Sequence, residues 1–345
     1  MSLNPKIVEA LLNWYDYNAR ILPWREEPTP YRVWISEIML QQTRVEAVKP
    51  FYERFMRELP DVEALASVDD DKLMKLWEGL GYYNRARNLK IAANQIMNEF
   101  EGQMPADYEK LLSLKGIGEY TAGAIGSIAF RLPVAAVDGN VLRVITRITG
   151  DERDILKQST KRAITADLLE IIPRERAGDF NQALMELGAT VCVPNGQPKC
   201  EMCPWDTVCK TYKEDLIAKI PVKTPKKKRR IEQKTVFLLE YQNKIAIRKR
   251  EEKGLLAGLW EFPNEERSFS IEDLEQQLKK WEVAHYHFEA TAKHKHIFSH
   301  IEWHMTGFYV ECQEKPSDDF IWISREELEE SYAVPSAFEA FKAAL

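Results

Sequence analysis

Four of the chain's five cysteines, Cys192, Cys200, Cys203 and Cys209, fall within 18 residues. In a chain expected to be cytoplasmic, thiols this close read as metal or iron–sulfur ligands before they read as disulfides. From spacing alone, zinc and a [4Fe–4S] cluster are equal readings. The stretch Leu114-Lys115-Gly116-Ile117-Gly118-Glu119-Tyr120 carries a second feature. Its glycines allow a tight hairpin between two helices, whose second N-terminus can offer backbone N–H groups to a phosphate. A plain helix–helix turn is the other reading. Asp138 ends the apolar run Leu132–Val137 and precedes Gly139-Asn140. It is either a helix cap or a functional carboxylate. Glu37 sits between Ile35 and Ile38-Met39-Leu40. A carboxyl desolvated there has a raised pKa and can hold a proton near neutrality.

These residues need a scaffold. From residue 5 to about 190 the apolar positions recur at helical steps. Ile7, Leu11, Trp14 and Tyr15 form one such run, Val33, Trp34, Ile38 and Val45 another, and Val141, Val144, Ile145 and Ile148 a third. Ser67 with Asp69, and Ser159, are start signals. About ten helices and little strand are expected. A helical domain therefore spans residues 1–220, with the cysteine loop at 192–209. Residues 221–233 read as a basic linker containing Lys226 to Arg230. A domain of mixed texture follows at 234–345. Its strand-like runs are Thr235–Tyr241 and Lys244–Lys249, joined by a turn at Gln242–Asn243, then Tyr286–Ala292, His304–Cys312 and Phe320–Ile323. Helical patterns occur at Ile271–Trp281 and Ser336–Leu345. The expected fold is a mostly α-helical domain followed by an α+β domain.

Length and composition agree. At 345 residues, 45% hydrophobic and 30% charged, the chain is long enough for two folded domains and too apolar to be disordered throughout. The longest apolar run, Ala122–Val137, is broken by Arg131 and Pro133, so no membrane span is expected and a cytoplasmic location is. The net charge of −6 argues against coating nucleic acid by bulk charge. Residues 221–250, however, carry 11 basic and 2 acidic side chains, against 9 and 20 in residues 251–345. That block is a local anion contact or simply a solvated linker.

The hairpin, the Pro-containing stretch and Asp138, in this order, resemble the helix-hairpin-helix DNA glycosylase superfamily. Cys200-x2-Cys203-x5-Cys209 resembles its iron–sulfur branch, although seven residues separate Cys192 from Cys200 where the family usually has six. Within the superfamily the chain resembles the adenine DNA glycosylases (MutY-type). The motifs are Leu22-Pro23-Trp24-Arg25, Trp34 to Thr43 with Glu37 and the Gln41-Gln42 pair, Gly79-Leu80-Gly81-Tyr82-Tyr83, and Val137 to Val141. The resemblance implies a [4Fe–4S] cluster on the four cysteines and double-stranded DNA holding an adenine mispair as partner, bound by a monomer. It implies Glu37 as the acid that protonates adenine, and an ionised Asp138 that stabilises the oxocarbenium-like sugar or traps it. Tyr120 and Asn140 assist the water and Asp138. Tyr120 stands where strand-nicking relatives carry a lysine, which implies base removal without efficient strand cleavage. Gln42 and Tyr82 enter the duplex, and Arg25, Gly116 and Gly118 contact DNA.

The C-terminal domain resembles the family's Nudix-like module through Gly254 to Pro263. The metal-holding Arg-Glu-x-x-Glu-Glu helix of a Nudix hydrolase is not matched; Ser270 to Trp281 has only Glu272, Asp273 and Glu275. The resemblance assigns Phe298-Ser299-His300 to the reading of 8-oxoguanine opposite the adenine. All six histidines lie between His285 and His304. Their alternating spacing points to exposed or DNA-facing side chains rather than a metal site.

Overall fold

The computed structural model describes residues 5–225, 228–316 and 320–345, without the side chains of 290–292. Two compact units form. One holds the chain up to Ser67 together with Arg87–Pro225; the other holds Val68–Ala86 together with the chain after Pro225. The sequence reads as one domain over 1–220, whereas the structure groups Val68–Ala86 with the second unit.

Between Lys6 and Thr190 the described residues contain twelve α-helices, against about ten expected. The Val33–Val45 run is not one helix. Pro30–Leu40 and Val45–Glu58 are separate, and Gln42 between them adopts φ 62°. Pro30 in the first turn and Thr29, whose hydroxyl accepts from Arg32 N, start the first of these. Asp69 caps Asp70–Trp77 as expected, accepting from Asp71 N and Lys72 N. Ser159 does not cap; it lies inside Gln158–Ile171, whose N-cap position is Lys157.

The core of the first unit joins helices Lys6–Asn18, Gly139–Thr149 and Ala177–Thr190 through Leu11, Val141, Val144, Phe180, Leu184 and Leu187. Each large side chain removed from water there contributes roughly 1.5–3 kcal/mol. Helix Pro30–Leu40 buries Tyr31 and every residue from Val33 to Met39. Such a helix is enclosed on all sides, so Glu37 has no free solvent face.

The second unit carries strands β1 (Arg230–Tyr241), β2 (Lys244–Lys249), β3 (Trp260–Glu261), β4 (Asn264–Glu265), β5 (Tyr286–Ile297), β6 (Ile301–Cys312) and β7 (Ile321–Ile323). The order is β3-β2-β1-β6-β5, with β4 beside β1 and β7 beside β2. β1 and β6 are parallel, in register from Arg230↔Ile301 to Glu240↔Glu311. Pairing with β6 draws the polar stretch from Arg230 to Gln233 into strand, so the expected linker ends at Arg229 rather than residue 233. Lys226 and Lys227 of the basic run lie outside the described residues. Alternation along the strands feeds two cores. Val236, Leu238, Ile245 and Ile247 serve one face, and Phe237, Leu239 and Ala246 the other. The helices Ile271–Lys280 and Arg325–Glu330 each open on a serine capping box. The expected C-terminal helix shrinks to a 3-10 turn, Ser336–Phe338, and a short α-helix, Glu339–Lys342.

Candidate active site

In the first unit a cleft of about 600 Å³ is lined by Glu37, Gln42, Tyr120, Asp138 and Asn140, with Arg25 in its wall. Glu37 is buried, and burial pushes its carboxyl up to about 7. The Tyr120 hydroxyl donates to its Oε2 and pulls the other way; the charge of Asp138 raises it further, and that of Arg25 lowers it. Tyr120 itself is pushed well above the usual tyrosine value by burial and the two carboxylates, so it stays a phenol donor. The hydroxyl also lies 3.2 Å from Met185 Sδ.

Asp138 answers to both sequence readings. It caps helix Gly139–Thr149, accepting from Val141 N at 2.8 Å, a contact worth about 1 kcal/mol. It also lines the cleft. Burial raises its pKa, opposed by Val141 N–H, by the Asn140 amide at 2.7 Å and by Arg143. Asn140 is fixed in turn by Arg143, which donates to Asn140 Oδ1, Gly188 O and Cys192 O, each at 2.8 Å. Gly188 is needed at that spot, since a Cβ there would sit 2.7 Å from Asn140 Cβ.

Several of these partners went unnoticed in the sequence. Glu186 is buried and accepts from Arg20 Nε at 2.5 Å and Arg25 Nη2 at 2.9 Å. Arg25 also donates to Arg20 O, so its guanidinium is engaged within the protein, which a bare DNA contact would not require. Gln182 lines the cleft as well. Arg143 and Arg147 had a usable signal. They are basic residues one turn apart on a helix whose neighbours Val141, Leu142, Val144, Ile145 and Ile148 are all buried.

The hairpin holds as expected. Gly116 has φ 79° and Gly118 is the N-cap position of helix Glu119–Phe130; both are exposed. Lys115 N donates to Gln95 Oε1 at 2.7 Å, tying the turn to helix Asn84–Glu99.

The four cysteines carry free thiols and line one small cavity of about 30 Å³ with Arg147 and Thr211. Among the described residues no three His, Cys, Asp or Glu converge on a point where one ion would sit. Arg147 Nη1 donates to Cys192 Sγ at 3.3 Å, and the buried Thr211 hydroxyl has no hydrogen-bond partner. Four thiols around one cavity are a donor set that an iron–sulfur cluster can take. Cys312 is apart, buried in the core of the second unit.

The second unit contains Tyr82, Phe298, Ser299 and His300. Phe298 is half-buried, with its ring 4.8 Å from that of Trp303 and 4.6 Å from that of His296. These ring contacts anchor the β5–β6 turn. Ser299 and His300 are exposed at the tip, and the Tyr82 hydroxyl lies 3.2 Å from Ser299 Oγ. The histidines differ in their surroundings. His285 pairs with Glu314 at 2.5 Å, His304 with Glu302 at 2.7 Å, and His296 is held below the usual value by burial. Asp273, in the stretch compared with a hydrolase helix, is used in the capping box with Ser270.

Two family models match the chain: "HhH-GPD superfamily base excision DNA repair protein" over residues 35–174, and "NUDIX domain" over residues 235–344. An adenine DNA glycosylase of Schizosaccharomyces pombe is 33% identical, over 98% of this chain and 89% of its own. That of Buchnera aphidicola subsp. Schizaphis graminum is 36% identical, over 88% and 86%. That of Homo sapiens is 34% identical, over 88% and 67%. Among solved structures, a thermostable thymine-DNA glycosylase aligns with TM-score 0.55 and 30% identity, over 61% of this chain and 97% of its own. A trapped endonuclease III–DNA covalent intermediate aligns with TM-score 0.53 and 23% identity, over 62% and 99%, which speaks to fold alone.

Proposed function

The chain belongs to the adenine DNA glycosylases, base-excision repair enzymes that remove adenine from DNA, and from that premise we propose that it acts on adenine opposite 8-oxoguanine or guanine without cutting the strand. One observation carries the chemistry: Glu37, buried with its carboxyl pushed up to about 7, accepts from the Tyr120 hydroxyl and shares a cleft with Asp138. A flipped adenine entering the cleft meets a carboxyl that holds a proton. As the C1′–N9 bond breaks, its electrons pass to the base and Glu37 delivers the proton to N7. The sugar becomes oxocarbenium-like. Asp138, whose pKa burial raises and Val141 N–H, Asn140 and Arg143 hold down in part, stabilises that charge in its ionised form or traps it. Water then adds at C1′ and its proton returns to Glu37. Tyr120 and Asn140 hold these two carboxylates in place. Tyr120 has no amine with which to form a Schiff base, which supports base removal alone.

The family's members often carry a [4Fe–4S] cluster. The cavity lined by four thiols, the Arg147 donor and the unpartnered Thr211 hydroxyl support Cys192, Cys200, Cys203 and Cys209 as its holders here. Bound there, the cluster would fix the loop that receives Arg143. Gln42 and Tyr82 would enter the duplex, Ser299 and His300 would read the opposite base, and the enzyme would work as a cytoplasmic monomer. The test is direct. Purified protein is incubated with duplexes holding one adenine opposite 8-oxoguanine, guanine or thymine. Free adenine from the first two, with strands intact until alkali is added, is expected. Release from the thymine pair at an equal rate, or nicking without alkali, would overturn the reading.

A further inference from the structure

Tyr82 has φ 48°, in the left-handed region that a residue with a side chain seldom occupies. Such a conformation persists only where its surroundings hold it. Trp77 Nε1 donates to Gly81 O at 3.1 Å, and Arg85 Nη2 donates to Leu80 O and Gly81 O, each at 3.1 Å. The Arg85 guanidinium lies 5.4 Å from the Trp77 ring and 5.5 Å from the Tyr82 ring. Tyr82 is therefore presented half-exposed, with its hydroxyl at Ser299, and no DNA is needed to arrange it.

Trp77 ends helix Asp70–Trp77, and that helix is fastened within the second unit at three points. Asp71 accepts from Lys249 Nζ at 3.0 Å and Trp260 Nε1 at 3.2 Å. Lys75 Nζ donates to Leu328 O at 3.4 Å and Tyr332 O at 3.1 Å, at the C-terminal end of helix Arg325–Glu330. Glu78 pairs with Lys75 at 2.7 Å and accepts from Val334 N at 2.9 Å. Lys75 and Glu78 are about one-fifth exposed, at 18% and 21%, so these bonds are screened less than surface pairs.

We infer that Lys75 and Glu78 are positioning residues for recognition of the opposite base. They fasten helix Asp70–Trp77 to the sheet-bearing part of the unit, so that Tyr82 and the Ser299 turn meet the duplex as one preset surface. Neither residue lines the adenine cleft. The inference rests on the 8-oxoguanine reading above and names what sets its selectivity.

The experiment uses the full chain and single-turnover excision of adenine opposite 8-oxoguanine and opposite guanine. Lys75→Met and Glu78→Gln should each lower the ratio of the two rates about tenfold, the size of losing one good base contact. Excision opposite guanine should stay within about twofold, and Lys75→Arg should restore most of the ratio. An unchanged ratio in both variants overturns the inference. So does an equal fall on both substrates with a lower melting temperature, which marks a merely structural role. A wild type with no preference for 8-oxoguanine overturns the underlying reading; a wild-type preference that both variants keep overturns this inference alone.

Discussion

Glu37 and Tyr120 form a donor–acceptor pair whose two members restrain each other. The phenol stabilises the carboxylate, and burial disfavours it more. Removing the phenol leaves burial opposed by the Arg25 charge alone, so Tyr120→Phe should raise the Glu37 pKa. The alkaline limb of the pH–rate profile should then move upward, whatever happens to the maximal rate; a limb that moves down contradicts the contact. The same carboxyl has a stability consequence. Its pKa rises from 4.5 to about 7 on folding, so the folded state binds the extra proton between those values. The burial cost is absent below about pH 4.5 and grows as pH rises toward 7, up to roughly 3 kcal/mol. Glu37→Gln should therefore be more stable than wild type at pH 8, with the gain gone near pH 4, as read by denaturant melts. Glu37 was legible in the sequence because its apolar neighbours on both sides imply burial. Glu186 was not. Its partners Arg20 and Arg25 lie 166 and 161 positions away, and no local pattern announces a buried carboxylate paired over such a distance.

Elements bring these side chains together at fixed approach. Helix Ala177–Thr190 passes so close to Asn140 that only glycine fits at 188. Gly188→Ala should push Asn140 off Asp138 and Arg143, and lower the excision rate by about tenfold or more, a loss of roughly 1.4 kcal/mol of transition-state stabilisation. Duplex affinity should change little. An activity loss fully matched by lost binding would contradict that account. The hairpin with Gly116 and Gly118 and the cap at Asp138 were legible, since glycine pairs and Asp-Gly-Asn carry local backbone rules. The break at Gln41-Gln42 was not, because the apolar spacing continues through it and the positive φ of Gln42 falls on a residue type that gives no warning. The first four residues of β1 were hidden for a related reason. Arg230-Ile231-Glu232-Gln233 reads as linker, and only pairing with β6 makes it strand.

At the scale of the whole molecule, the described residues form two units with separate cores. The helical unit holds the cleft and the cysteine loop, and the second unit holds Tyr82 and the β5–β6 turn. The composition shift near residue 221 made two domains legible. The grouping of Val68–Ala86 with the later chain was not, because it rests on proximity between segments far apart in sequence, as at Lys75 and Tyr332 O, rather than on local texture. If reading and cutting are divided in this way, Ser299→Ala with His300→Ala should reduce preference for adenine opposite 8-oxoguanine, by about 1–3 kcal/mol of discrimination. The rate opposite guanine and the melting temperature should hold. Equal loss on both substrates would give the turn a packing role only. The central claim is that a buried, protonated Glu37 drives release of the base. The most direct measurement is single-turnover excision from bound duplex as a function of pH, for wild type and Glu37→Gln. The account predicts a wild-type rate that falls about tenfold per pH unit once pH exceeds about 7, and a variant that binds the duplex yet releases no adenine. A wild-type rate that is level across that range, together with near-normal excision by Glu37→Gln, would contradict it.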